Sequence, residues 1–266
     1  MKKLSLISVL ILAAFSVFAQ YMKVAGDSTV VKASDGTMVL VRAGTPILFN
    51  AKGQAISFFP VDSFTVKAAD TLIYTAQPGS LVNLYDNGRV QDFIPLHNIK
   101  VITGKGTVYE AKALNRVYFY PHGHVEEFIP VRDIEVINGR KQKFIASAGK
   151  TARFFVSGYV KLFTTKGKIE VINGKGQKFQ ALPNTQVEFF ENGAVRSFVP
   201  ASPVDVVNGR GQKFKAMAGK EVRFYKNGLV ETLTPTQDII VYNSVNRKFK
   251  ALAGNPISFD KYGNMK

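Results

Sequence analysis

A 35-residue period runs through this chain without an insertion. Val31, Val66, Val101, Val136, Val171, Val206 and Val241 mark seven units, and in each unit a glycine stands at one fixed later position: Gly53, Gly88, Gly123, Gly158, Gly193, Gly228 and Gly263. Such a chain repeats one supersecondary block, and each block buries its apolar side chains against its neighbours. Two more positions keep the register as core. One holds Val39, Tyr74, Tyr109, Phe144, Phe179, Phe214 or Phe249; the other holds Phe49, Leu84, Phe119, Phe154, Phe189, Phe224 or Phe259. Pro60, Pro95, Pro130, Pro200 and Pro235 end the pattern, with Thr165 in the fourth unit.

Each unit reads as four short strands. In the fifth, 169–172 is apolar and β-branched, Asn173-Gly174-Lys175-Gly176 turns the chain, and 178–182 runs back. Pro183-Asn184 breaks that strand, 187–190 is the third, Asn192-Gly193 turns, and 195–199 is the fourth, ended by Pro200. Asn-Gly favours a two-residue type I′ turn because both central residues need positive φ. Proline ends a strand because it has no N–H for the ladder.

A two-residue loop at Asn192-Gly193 would pair Phe190 with Val195 and Val187 with Phe198, on opposite faces. Tyr85–Val90, Tyr120–Val125, Phe155–Val160 and Tyr225–Val230 would repeat the first pairing. Strands apolar on both faces need cover on both. The expectation is therefore an all-β chain of seven tandem antiparallel units, stacked as a seven-bladed β-propeller-like ring. Segment 21–25 sits where a fourth strand would precede the first unit, and pairing with the last unit would close the ring. The alternative is an open, elongated β-solenoid or meander in which each unit touches only its neighbours.

Residues 1–19 have the form of a secretion signal: Lys2 and Lys3, an apolar run from Leu4 through Phe18, then Ala19 as the cleavage site. Residues 20–266 then form a single repeat domain, expected in the periplasm, at the cell surface or outside a bacterial cell. No cysteine is present, which excludes disulfides, thiol catalysis and thiolate metal sites. Hydrophobic residues at 46% and charged residues at 20% describe a globular chain. The net charge of +16 favours encounter with polyanions such as lipopolysaccharide or acidic glycans.

Segments Phe189-Phe-Glu-Asn-Gly-Ala-Val, Phe224-Tyr-Lys-Asn-Gly-Leu-Val and Leu84-Tyr-Asp-Asn-Gly-Arg-Val resemble the aromatic-x-Asn-Gly hairpins of bacterial MORN-type repeat proteins. The resemblance implies a meander of β-hairpins used for binding or scaffolding rather than catalysis.

Residues suited to chemistry are few. His122 and His124 flank Gly123 in a turn, where solvated turn residues are expected rather than a metal clip, and His97 lies in a connection between units. Glu126-Glu127 and the pair Glu188 and Glu191 read as surface charge, since glycoside hydrolysis needs two carboxylates facing one cleft. No Gly-x-Ser-x-Gly elbow or phosphate loop occurs, and no catalytic, metal or cofactor site is expected. The basic positions do recur. Lys143, Lys178, Lys213 and Lys248 share one repeat position, Arg140, Lys175 and Arg210 precede it, and Lys215 and Lys250 follow. In adjacent units these residues should line up as a stripe able to hold an extended polyanion.

Part of that stripe is expected to be neutralised. A three-residue turn at 173–175 would set Glu170 against Lys178, Glu135 against Lys143 and Asp205 against Lys213. The leading expectation is a non-enzymatic, exported binding protein for an anionic polymer or a surface partner. A structural or assembly protein of the envelope is the alternative, and an enzyme acting on glycan or cell-wall polymers comes third.

Overall fold

A computed structural model describes residues 20–266; the expected leader, residues 1–19, lies outside the described residues. All regular structure among the described residues is β, in 28 strands. The four strands of a unit part company. Strands one and two form an isolated two-stranded hairpin, as Ile169–Ile172 does with Lys178–Ala181. Strands three and four, such as Gln186–Phe189 and Val195–Phe198, join one antiparallel sheet of 14 strands.

The sheet starts at Tyr21–Val24 and ends at Ile257–Ser258, and these two edges do not pair with each other. The expected ring is therefore corrected to an open arrangement. Its cause lies in one turn. Of Asn192 and Gly193 only the glycine has positive φ, at 78°, and Gly193 N–H donates to Phe190 O while Phe190 N–H donates to Ala194 O. That is a type I turn closed by a glycine bulge, not a type I′ turn. The extra residue moves the register: Phe189, not Phe190, faces Val195, and Glu188 faces Ser197. Val187, Phe189, Val195 and Phe198 then share the covered face, and the other face keeps polar side chains. A sheet with one apolar face needs a single covering layer, which the outer hairpins supply.

Each outer hairpin lies over the seam between its own fourth strand and the third strand of the next unit. Phe179 stacks against Phe198 at 5.4 Å and Phe224 at 5.5 Å, and those two stack on each other at 6.3 Å. Phe144 with Phe163 and Phe189, and Tyr109 with Phe128 and Phe154, repeat the triad. At one end the hairpin is hooked to the sheet: Ala181 bridges Pro200, and Leu182 N–H donates to Val199 O at 2.7 Å. Thr165 replaces the proline in the fourth unit and uses the N–H that proline lacks, donating to Thr185 O at 3.0 Å.

At the other end two turns meet. Asn173 is fully buried; its Oδ1 accepts from Lys175 and Gln177 N–H, both at 3.0 Å, and its Nδ2 donates to Gly228 O at 3.2 Å. Asn138 and Asn208 make the same latch to Gly193 O and Gly263 O. The backbones approach so closely that a Cβ on Gly174 would lie 2.2 Å from Lys226 O. Here glycine is required by the neighbour rather than by its own φ.

Candidate functional site

The outer face of the hairpin layer carries the basic positions. On the second hairpin strands, residues alternate between sheet and solvent: in Lys213–Ala216, Phe214 and Ala216 are buried while Lys213 and Lys215 are exposed. Lys143–Ala146, Lys178–Ala181 and Lys213–Ala216 share this pattern, so Lys143, Lys178 and Lys213 emerge on the same side. Lys248 holds the same place, exposed, in Lys248–Ala251. Neighbouring hairpins are two sheet strands apart, which spaces these lysines about 10 Å from one to the next.

Their partners differ. Lys143 Nζ lies 3.0 Å from Glu135 and Lys178 Nζ lies 3.0 Å from Glu170. These are diagonal contacts, because Lys178 directly faces Ile172 and Glu170 faces Gln180. Asn173 pairs with Gln177, so the three-residue loop is Gly174-Lys175-Gly176, one residue later than expected. The expected pair of Asp205 with Lys213 is absent among the described residues; Asp205 faces Lys215 instead. Lys250 pairs with Asp238 at 2.8 Å, and that lysine, with the Ala253 N–H, holds the Asp238 carboxyl below its ordinary range. Lys175, Lys213, Lys215 and Lys248 make no ion pair among the described residues.

The two arginines serve the turns. Arg140 Nη2 donates to Asn173 O at 3.0 Å, and Arg210 reaches Asn243 O at 3.1 Å and Asn246 Oδ1 at 2.8 Å. Both therefore bridge adjacent hairpins rather than stand free. An open groove of about 510 Å³ runs between two hairpins, lined by Gln177, Asp205, Val207, Lys213, Lys215 and Gln237.

The polar face of the sheet holds a second charge array, which the sequence reading overlooked. Register places Asn83, Asp92, Tyr118, Glu127, Arg153, Leu162, Glu188, Ser197 and Arg223 opposite one another across successive strands. Asp92 pairs with Arg116, Glu127 with Arg153, and Glu188 with Arg196 at 3.2 Å and Arg223 at 3.7 Å. The sheet strands balance acid and base. On the hairpin strands the bases (Lys32, Lys67, Lys100, Lys143, Lys178, Lys213, Lys215, Lys248, Lys250) outnumber the acids (Glu110, Glu135, Glu170, Asp205). The missed signal was opposite charge at one repeat position in alternate strands.

Glu188 is engaged by two arginines and does not share a cleft with Glu191, which lies in the exposed turn. His122 and His124 occupy the turn after Tyr120, whose N–H donates to His124 O at 2.8 Å. Among the described residues no three His, Cys, Asp or Glu side chains are grouped to hold a metal ion.

No protein-family model and no curated protein matches the chain. Among solved structures, the TCP10 domain of Danio rerio CPAP in complex with a peptide of Danio rerio STIL is similar over 72% of this chain and 99% of that one, at 18% identity and a TM-score of 0.14. A superposition that weak supports no statement about fold or function.

Proposed function

We propose that this protein is a non-enzymatic binding protein, exported to the bacterial envelope or exterior, whose hairpin layer holds an extended anionic polymer such as lipopolysaccharide or an acidic glycan. The supporting observation is the asymmetry of the two layers. Acid and base balance on the sheet strands, while exposed lysines recur at one position of successive hairpins. A polymer lying across the hairpins meets Lys178, Lys213 and Lys248 in turn, with Lys175, Lys215 and Lys250 beside them. Binding of this kind draws on release of counterions, with little demand for side-chain precision. Export rests on the leader-like residues 1–19, and the MORN-type hairpin resemblance points to the same class of role.

Heparin, as a soluble polyanion, and lipopolysaccharide test this reading. Affinity should fall about tenfold or more between 50 and 300 mM salt. The triple variant Lys213→Gln/Lys215→Gln/Lys248→Gln, with an unchanged circular dichroism spectrum, should bind several-fold more weakly. Salt-independent affinity, or a triple variant that binds like the parent, would overturn the proposal.

A further inference from the structure

The two ends of the sheet are halves of one joint. At one end Tyr21–Val24 is a fourth-type strand with no unit of its own: it pairs with Pro46–Phe49, and its other edge is open among the described residues. At the other end Ile257–Ser258 is a third-type strand whose fourth-type neighbour is reduced to Met265 bridging Phe259 and Lys266 N–H donating to Ser258 O. Met265 occupies the repeat position that Gln20 holds at the first end.

The hairpin layer is offset in the same sense. Each outer hairpin covers the seam to the next unit, so the last one, Ile239–Tyr242 with Lys248–Ala251, extends past the final sheet strand. Its aromatic residue shows this. Phe144, Phe179 and Phe214 are buried and stacked on sheet rings, whereas Phe249 is half-buried at the edge of the core, stacks on no ring among the described residues, and has the Arg247 guanidinium 5.5 Å over its face. Asn243 repeats the feature. Its Oδ1 holds its own turn through Val245 and Arg247 N–H, but its amide has no partner among the described residues, where Asn173 and Asn208 reach a glycine carbonyl of the next unit. At the opposite end, no outer hairpin covers the seam beside Tyr21–Val24 among the described residues, and Tyr21, which stacks on Phe49 on the covered face, is 51% exposed.

We infer that a second copy of this chain adds head to tail, with Tyr21–Val24 of one copy completing the sheet beside Ile257–Ser258 of another. The joint repeats the backbone pairing found between consecutive units within the chain, with Lys23 in the place that Phe198 holds in the fifth unit. Met22 takes the place opposite Ser258 that Ser197 takes opposite Glu188. Phe249 meets the Tyr21–Phe49 stack of the next copy, and the Asn243 amide meets its Gly53 carbonyl. The incoming strand displaces the short Met265–Lys266 segment, including the Met265 N–H bond to Tyr242 O at 2.8 Å and the Lys266–Glu231 ion pair at 3.7 Å. Because the two surfaces differ, the contact does not close on itself as a two-fold dimer does, and it propagates as an open series of copies. It is strand addition to a free sheet edge.

Cross-linking tests this directly because the chain has no cysteine. In protein expressed from the full sequence, Met22→Cys and Ser258→Cys are introduced separately. Oxidation of an equimolar mixture should give a disulfide-linked dimer containing one chain of each kind, while neither variant alone should cross-link. The double variant should give a ladder of multimers. Light scattering of the unmodified protein should show mass rising with concentration through successive multiples, and Met22→Lys, its spectrum unchanged, should weaken association at least tenfold. Cross-linking of Met22→Cys with itself would show a two-fold dimer through the first strand and overturn the inference. A single-copy mass at the highest soluble concentration, or a mixture that fails to cross-link, would overturn it too.

Discussion

Hairpins in the middle of the molecule are tied to their neighbours differently from those nearer its start. In units four to six a buried asparagine, Asn138, Asn173 or Asn208, latches the turn to the next unit's glycine carbonyl. Their stacked rings are phenylalanines, Phe144, Phe179 and Phe214. In units two and three the asparagine is replaced by Ala68 and Thr103, and the ring is a tyrosine. Tyr74 donates to Lys100 O at 2.7 Å and Tyr109 to Glu135 O at 2.6 Å, so the hydroxyl ties one hairpin to the next. Two chemistries thus join neighbouring units: a buried amide donating to a sheet-turn carbonyl, or a tyrosine hydroxyl donating to the backbone of the next hairpin. The third unit is the weaker joint: the Oγ atoms of Thr103 and of Ser157 in the facing turn are buried without a partner among the described residues.

The close turn contact should dominate either kind of joint. A Cβ on Gly139 would lie 2.1 Å from Glu191 O, and Gly139→Ala should cost about 3 kcal/mol, read as a lower urea midpoint. Gly176, at φ 82° with nothing within 4 Å of its would-be Cβ, is the control, and Gly176→Ala should cost about 1–2 kcal/mol. Equal losses would mean that backbone approach is not what selects glycine here.

Exchanging the latches should show how much the asparagine contributes. Asn173→Ala strands the Lys175 and Gln177 N–H groups and the Gly228 carbonyl, for an expected loss of about 2 kcal/mol. Thr103→Asn should install the same latch and raise stability by about 1 kcal/mol. A destabilised Thr103→Asn would show that the third joint has a shape of its own.

The tyrosine ties should reveal themselves in alkali. Burial pushes the hydroxyls of Tyr74 and Tyr109 up to about 12, with the Glu135 charge adding to the effect at Tyr109. The folded state therefore holds these protons more tightly than the unfolded chain does. Their contribution is fully present below the unfolded value near 10, and is lost as pH rises from there towards 12. Thermal unfolding of Tyr74→Phe/Tyr109→Phe should depend less on pH in that window than the parent, with a small loss at neutral pH. Parallel pH profiles would remove the hydroxyls as ties.

Much of this was legible from residue spacing. The period located all seven units, the β-branched runs and Asn-Gly turns placed the strands, and the recurring lysines emerged on a common side of the hairpin layer. What misled was the turn. Asn192-Gly193 suits two geometries, and choosing between them moves the register by one residue, which carries Phe190 and its relatives off the apolar face. The inferred ring followed from that single residue. The arginines at the head of the basic stripe were misjudged for a related reason: Arg140 and Arg210 donate to backbone carbonyls of the neighbouring hairpin, and those acceptors cannot be read from side-chain types.

The sequence alone determined that the protein is a β-repeat of fixed period, because glycine, proline and alternating apolar residues act locally, within one hairpin at a time. Only the tertiary structure decided that the strands separate into a sheet and a layer of hairpins, and which glycines have no room for a side chain. Those outcomes depend on how turns of different units meet, at sequence separations no local pattern encodes.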